Sequence, residues 1–453
     1  MNPHRDPAAP ASAQDGFTLV ELLVALAVTV IVVLGILMLF DFNNKLTRVQ
    51  TNVADMQQSE RIAQYDMVRM ARMAGRGGLP VSAAAPPGNS AALLPAGSGV
   101  RVLNNAPANT FLVAGDNTTP KVLAGTDVLT LRGAFSTPIY QLAFTNPAAF
   151  TMTGPGTPTT TTATGGRLQL CNLTPTGTAQ DLTTLTALID LAAAGKVRKE
   201  ALILVSPVDD GIYSIVSLDP TTSTKVAATC ATGGVTLAFN SDRTDPQVIL
   251  YRALYPAPAT GNLNSGLTSI AYVGLLEEYR YYVREDHAIS GNAASDLTPV
   301  LSRARFYPGT DQAYAADNTN LKQDIADGIL DLQIAFGIDA DGDGQLLEDL
   351  ANAKNDEWLG NDIADTPITG DLKAIRISTL ARTNRRDPAY VPAVSGTAAE
   401  KHLISNVEDH VYSTTDINDP VNGYDAANFQ GSMGRLYRRR VLQTVVNIRN
   451  LSQ

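Results

Sequence analysis

Cysteine, histidine and basic residues are scarce in this chain of 453 residues, and each scarcity excludes a class of function. Two cysteines are too few for a cysteine-ligated metal cluster, and four scattered histidines argue against a histidine-rich metal or catalytic centre. Lys and Arg total 34 against 44 Asp and Glu, so the net charge of −10 leaves no electrostatic footprint for nucleic acid. The composition argues against an enzyme and against a nucleic-acid partner.

Charged residues of either sign make up only 17% of the chain, and aromatic residues 6%. With 44% hydrophobic residues, 35 glycines and 25 prolines, the sequence is typical of a loop-rich, largely β globular protein. Only one long hydrophobic run occurs, which argues against a polytopic membrane protein.

That run covers residues 17–40 and is interrupted only by Thr18, Glu21, Thr29 and Gly35. A helix of this length would be roughly 36 Å long at about 1.5 Å per residue, which is enough to cross a bilayer. A polar stretch precedes it, without the A-x-A cleavage site that normally follows the hydrophobic part of a secretory signal. The pattern predicts one transmembrane helix.

The string GFTLVELLVA, from Gly16 to Ala25, resembles the class III signal of type IV prepilins and pseudopilins. The resemblance implies that a prepilin peptidase/methyltransferase cuts between Gly16 and Phe17, removes residues 1–16 as a leader and methylates the new amino group of Phe17. Glycine at the cut offers no side chain to a tight peptidase site.

Glu21 lies one helical turn beyond the new N-terminus. A carboxylate at the centre of a membrane helix costs about 2.5 to 3.5 kcal/mol on insertion scales and usually marks a functional pairing. The resemblance implies that its partner is the N-terminal ammonium of a neighbouring subunit, so that Glu21 sets the axial stagger during assembly. The alternative is that Glu21 snorkels at the membrane interface of an ordinary anchor helix.

Residues 41–78 are expected to be the amphipathic, periplasmic half of the same helix. Apolar positions recur there in steps of three and four, with Glu60 the one failure in the series, at Leu46, Val49, Val53, Met56, Ala63, Met67, Met70 and Ala74. This seam fits a helix that packs on its own domain as well as it fits a coiled coil.

Residues 79–453 are predicted to form a globular β-rich domain with insertions, in which 151–166 is an exposed Thr-rich loop. Three segments resemble the PilW family of minor pilins: GTDVLTLRG at 125–133, the strand from Leu332 into an Asp-rich loop, and a terminal strand at 438–450. Residues 134–200 resemble nothing that can be named. The resemblance implies an α+β, pilin-like fold, with the long N-terminal helix packed on an antiparallel sheet.

The Asp-rich loop after the Leu332 strand places carboxylates at alternate positions, as an EF-hand-type loop does. The predicted Ca²⁺ ligands are Asp339, Asp341, Asp343, Gln345 through its carbonyl, and Glu348 or Asp349 in place of the acid absent at Leu350. The alternative is a solvated Asp-Gly turn. No organic cofactor is expected.

Cys171 and Cys230 would both lie outside the cytoplasm, so a disulfide between them is expected, the alternative being two buried free thiols. His287, His402 and His410 have acidic neighbours, but their spacing supports neither a zinc nor an acid–base site. We expect them to be polar surface residues on loops.

The resemblance implies a non-enzymatic minor pilin that helps to initiate type IV pilus assembly. It would be anchored once in the inner membrane with a periplasmic domain, then sit at the pilus tip. Its partners would be other minor pilins, the major pilin and a PilY-type tip adhesin. Two alternatives stay open: a J-type pseudopilin of type II secretion, which shares the N-terminal signal, and a membrane-anchored calcium-dependent adhesin or hydrolase that borrowed it.

Overall fold

The structure is a computed structural model, and the chain divides into two compact units, residues 1–54 and 55–453. It describes residues 18–77, 99–107, 110, 121–142, 150–153, 165–196, 200–205, 213–227, 230–240, 272–287, 297–308, 323–352, 354–362, 371–387, 390, 404–413 and 437–448. The leader and Phe17 lie outside these residues.

Helix α1 runs without interruption from Leu19 to Arg72. It ends before the expected residue 78, because Gly75 and Gly77 adopt positive φ angles of 77° and 105°, which end an α-helix. In the first unit its side chains are largely exposed; in the second, one face is buried at Met56, Glu60, Ala63, Gln64, Met67, Met70 and Ala71. From Met56 onward the amphipathic seam therefore packs on its own unit, whereas Leu46 is exposed.

The described residues also contain a short helix, α2 (Thr183–Ala193), and seventeen strands. In chain order the strands are β1 (Val100–Leu103), β2 (Val128–Gly133), β3 (Tyr140–Gln141), β4 (Phe150–Thr153), β5 (Gly165–Cys171), β6 (Glu200–Val205), β7 (Tyr213–Thr224), β8 (Gly234–Asn240), β9 (Tyr272–His287), β10 (Leu297–Phe306), β11 (Gln323–Asp327), β12 (Ile329–Asp339), β13 (Trp358–Leu359), β14 (Asp371–Arg382), β15 (Asn406–Val407), β16 (His410–Val411) and β17 (Arg439–Asn447).

Eleven strands form one antiparallel sheet in the order β1-β2-β9-β6-β7-β8-β5-β4, with β3 and β10 also paired to β9, and β11 to β10. Strand β9 organises this sheet, because along its length it pairs with β2, β3, β6 and β10. Leu185 and Leu188 of α2 lie in one buried core cluster with side chains of β5, β6, β7 and β8. At both ends of the expected Thr-rich loop the structure has strand instead, because residues 151–153 belong to β4 and residues 165–166 to β5, which pair with each other. The rest of that segment lies outside the described residues.

A second, four-stranded antiparallel sheet has the order β13-β12-β14-β17. Helix α1 covers one face: the Gln64 side-chain amide donates to the Ile377 carbonyl, the Thr379 hydroxyl and the Leu442 carbonyl. The hairpin β15–β16 covers the other face, where Glu408 binds Arg376 and Ser378. Successive β14 side chains point to opposite faces, so this sheet is the central layer of three.

A disulfide joins Cys171, the last residue of β5, to Cys230, which precedes β8. The two Cα atoms are 5.3 Å apart, and the cysteines are separated by 59 positions. A bond that closes a loop of this length stabilises the fold by about 4 kcal/mol in the chain-entropy treatment.

Candidate functional site

The start of α1 is built by a reciprocal pair of residues. The Glu21 backbone N–H donates to the Thr18 hydroxyl at 3.2 Å, while the Thr18 backbone N–H and hydroxyl each donate to Glu21 Oε2 at 2.9 Å. This is a capping box: Thr18 is the N-cap, Glu21 occupies the third helical position, and otherwise unpaired N–H groups are satisfied. The motif that predicted processing thus also encodes where the helix begins.

The capping box fixes the Glu21 carboxylate at the positive end of the helix dipole, where negative charge is favoured. Glu21 is exposed, and its carboxylate accepts the two hydrogen bonds from the described residue Thr18 through Oε2. A cation that approaches the end of the helix therefore meets an oriented carboxylate. Gly16 and Phe17, the predicted processing residues, lie outside the described residues.

The apolar part of α1 is suited to a membrane. Among the described residues, α1 is the one helix long and apolar enough to span a bilayer. Its most apolar stretch is not buried in the protein. Large side chains from Leu19 to Phe42 are exposed, many by more than half of their surface. This segment provides a membrane anchor with a continuous apolar surface.

The second candidate site is the loop after β12. Asp339, the last residue of the strand, is buried and accepts hydrogen bonds from the backbone N–H of Gly342 at 2.7 Å and of Gly344 at 3.1 Å. Both glycines have positive φ angles, which turn the loop back on Asp339. The turn is therefore organised around one carboxylate.

Carboxylate oxygens of Asp339, Asp341 and Glu357 lie within 4.8 Å of one another, close enough to hold one metal ion. Glu357, directly before β13, was not predicted, because it lies outside the window of an EF-hand-type loop. It accepts the backbone N–H of Ala340 at 2.8 Å and of Leu347 at 2.9 Å. Pairing of β13 with β12 is what brings it to the loop.

The other predicted ligands make different contacts. Asp343 and Asp349 cap local turns by accepting the backbone N–H of Gln345 and Ala351. Glu348 binds Arg376 Nη1 at 2.9 Å. Of the predicted set, the structure brings together Asp339 and Asp341.

A polar network that the sequence did not indicate surrounds the β15–β16 hairpin. Asp409 accepts hydrogen bonds from the side-chain amides of Asn104, at 2.7 Å, and Asn105, at 3.0 Å. His410 Nδ1 lies 2.7 Å from Asp331 Oδ2, and its side chain is 21% exposed. The expectation of a surface loop was therefore wrong for His410, whereas His402 lies outside the described residues.

Asp127 lies fully buried beside this network and accepts the backbone N–H groups of Asn105 and Ile334, both at 2.8 Å. Burial, reinforced by Asp409 and Asp331, raises the pKa of Asp127 well above its usual range. Since Ile334 lies on β12 and Asp127 precedes β2, these bonds tie the four-stranded sheet to the large sheet. The network therefore connects the two sheets of the second unit.

Two segments of this chain match known protein families. Residues 280–450 match the family described as type IV pilus-assembly protein W, PilW, and residues 11–37 match the prokaryotic N-terminal methylation motif. A type IV-like pilin from Thermus thermophilus aligns over 60% of this chain and 98% of its own, at 10% identity and a TM-score of 0.17, too low to support an argument. No curated protein matches the sequence. The two family matches confirm the resemblance that the sequence indicated.

Proposed function

We propose that this chain is a type IV pilus minor pilin of the PilW family, that it helps to initiate pilus assembly, and that it lies at or near the pilus tip. The observation that carries the proposal is the capped start of α1, where Thr18 orients the Glu21 carboxylate beside the predicted cleavage site. An ordinary anchor helix needs no carboxylate there, and the cost of such a group in a membrane favours a functional partner.

In the proposed mechanism, cleavage between Gly16 and Phe17 leaves the apolar helix on the mature chain, with a methylated ammonium at its end. Glu21 pairs with the N-terminal ammonium of a neighbouring subunit and thereby sets the stagger between the two. The exposed apolar side chains of α1 pack against other pilin helices, and tight van der Waals packing holds such bundles together in lipid.

The partners we propose are the prepilin peptidase/methyltransferase, other minor pilins, the major pilin and a PilY-type adhesin at the tip. The chain would begin in the inner membrane with its globular unit in the periplasm and end at the cell surface. The PilW family is structural, and we propose no catalytic role.

Antibody against the globular unit, used for immunogold labelling of sheared pili, tests this proposal. Gold at one end of the filaments supports a tip minor pilin, and gold along the shaft contradicts the tip location. A strain that lacks the chain separates the pseudopilin alternative, because a minor pilin mutant loses pili and keeps type II secretion, whereas a pseudopilin mutant does the reverse.

We also propose that the loop after β12 binds Ca²⁺ through Asp339, Asp341 and Glu357. Hard carboxylate oxygens suit this ion, and their mutual approach within 4.8 Å supports the proposal. With three carboxylates as its ligands, this loop should bind Ca²⁺ with the weak affinity that is typical of extracellular sites. Bound Ca²⁺ would stabilise the turn and the β12–β13 pairing, without a chemical step.

A further inference from the structure

Glu60 is a buried carboxylate that the proposed function does not use. It lies in the apolar seam of α1 with 1% of its surface exposed, and neither of its carboxylate oxygens has a hydrogen-bond partner among the described residues. Buried carboxylates are normally paired or hydrogen-bonded, because desolvation of an ion is costly. An unsatisfied one therefore calls for an explanation.

Among the described residues, one charged group faces Glu60. From β17, the Arg440 guanidinium approaches Glu60 Oε2 to 3.5 Å, and the Arg440 side chain is 40% exposed. On α1, the nearby buried positions Met56, Ala63 and Gln64 are uncharged. Strand β14 presents Ile377 and Thr379 to the adjoining Gln64, and neither of them titrates.

Glu60 lies near the start of the buried part of α1. Met56 is the first buried residue of α1, so Glu60 lies in the first turns of the helix that pack against the rest of the second unit. One turn later, Gln64 donates to three acceptors on β14 and β17 and anchors the helix firmly. We therefore expect a change in the charge of Glu60 to alter the packing of the helical turns before Gln64. The turns after Gln64 should stay packed on β14 and β17.

We propose that Glu60 is a proton-operated latch between α1 and the sheet: the neutral acid keeps residues 56–63 packed on β14 and β17, and loss of the proton loosens them. Among the described residues, the ionised carboxylate has one partly exposed arginine at 3.5 Å and no hydrogen bond to offset its desolvation. Burial, opposed by Arg440, raises the pKa of Glu60 to about 7, which places the transition near neutral pH. The latch belongs to the helix–sheet contact and is independent of membership in a pilus.

Hydrogen–deuterium exchange of the full chain in detergent micelles tests the latch, with protection factors corrected for the intrinsic effect of pH. Between pH 6 and pH 8 we expect peptides from residues 56–63 to lose about tenfold in protection, while peptides after Gln64 change little. Glu60→Gln should hold the wild-type pH 6 protection at both pH values. Asp55→Asn, an exposed position of the same helix, controls for the loss of one carboxylate.

Arg440→Gln provides a second, independent test that does not require Glu60 to be changed. A nearby positive charge favours the ionised carboxylate, so its removal should raise the pH at which residues 56–63 lose half of their protection. The expected rise is about one pH unit. The proposal is overturned if residues 56–63 keep constant protection from pH 6 to pH 8, if Glu60→Gln retains the wild-type pH dependence, or if Arg440→Gln leaves the pH of half protection unchanged.

Discussion

The amide and the hydroxyl of Thr18 both donate to the same oxygen of the Glu21 carboxylate, each at 2.9 Å. The residue expected to pair with a neighbouring subunit is thus held in place by its own chain before any neighbour arrives. Preorganisation of this kind reduces the ordering cost of a later contact.

Glu21→Ala should abolish assembly while it leaves processing intact, because the peptidase acts at Gly16 whereas the charge pair needs the carboxylate. Loss of the cap costs the helix only about 1 kcal/mol, so the protein should still accumulate in the membrane. Electron microscopy of pili, together with immunoblots for the processed form, measures both outcomes. Thr18→Ser, which preserves the cap, is the matched control, and normal filaments from Glu21→Ala would contradict the charge-pairing mechanism.

Removal of either member of the Arg376–Glu408 pair should destabilise the second unit by about 3 to 5 kcal/mol. Two bonds join these side chains, Nε to Oε1 at 2.9 Å and Nη2 to Oε2 at 2.6 Å, and both residues are buried. Arg376→Ala leaves the Glu408 carboxylate in the protein interior without its cation.

Chemical denaturation of the full chain, followed by circular dichroism, measures this loss. Lys225→Ala is the control, since its pair with Asp190 is about half exposed and worth less than about 1 kcal/mol. Equal effects of Arg376→Ala and Lys225→Ala would contradict the assignment of Arg376–Glu408 as the main clamp between the hairpin and the sheet.

Local patterns in the sequence predicted much of the fold. The strand predicted from Leu332 into the Asp-rich loop lies in β12, and three- and four-residue steps located the α1 seam. The segment GTDVLTLRG at 125–133, which resembles PilW, contains β2. Such patterns are local because strand and helix periods are short.

Pairings between distant segments could not be predicted in this way. Glu357 reaches the acidic loop only because β13 pairs with β12, and His410 meets Asp331 only because the hairpin folds over the sheet. Glu60 broke the apolar periodicity and was interpreted as a failure of the pattern; the structure buries it in the seam. A sequence period shows which face a residue occupies, not what covers that face.

Added Ca²⁺ should raise the midpoint temperature of unfolding, and a chelator should reverse the effect. The single tryptophan, Trp358, lies next to Glu357 and offers a fluorescence probe of binding at this loop. Asp341→Asn should abolish the Ca²⁺ response, because Asp341 belongs to the convergent carboxylates. Asp349→Asn should keep it, since Asp349 caps a local turn instead. A response that is lost in Asp349→Asn and kept in Asp341→Asn would contradict the proposed ligand set.

The free energy of unfolding should fall as pH rises from 4.5 to about 7. Burial raises the pKa of Glu60 from 4.5 to about 7, so the folded chain binds a proton more tightly than the unfolded chain in this window. The stability from this group is complete below pH 4.5, and about 3 kcal/mol is lost by pH 8. Asp127, whose pKa is also raised by burial, contributes the same slope to wild type and to Glu60→Gln. Urea denaturation across this range should therefore show a loss about 3 kcal/mol larger in wild type than in Glu60→Gln, and equal losses in the two proteins would assign the effect to another group.

The mass of the N-terminal peptide, from protein recovered in sheared pili, tests the central claim most directly. The processing motif and the Thr18–Glu21 cap predict a peptide that begins at methylated Phe17. A peptide that still contains the leader, or a chain that stays in the membrane fraction while pili are normal, would contradict the claim that this protein is a processed pilin of the filament.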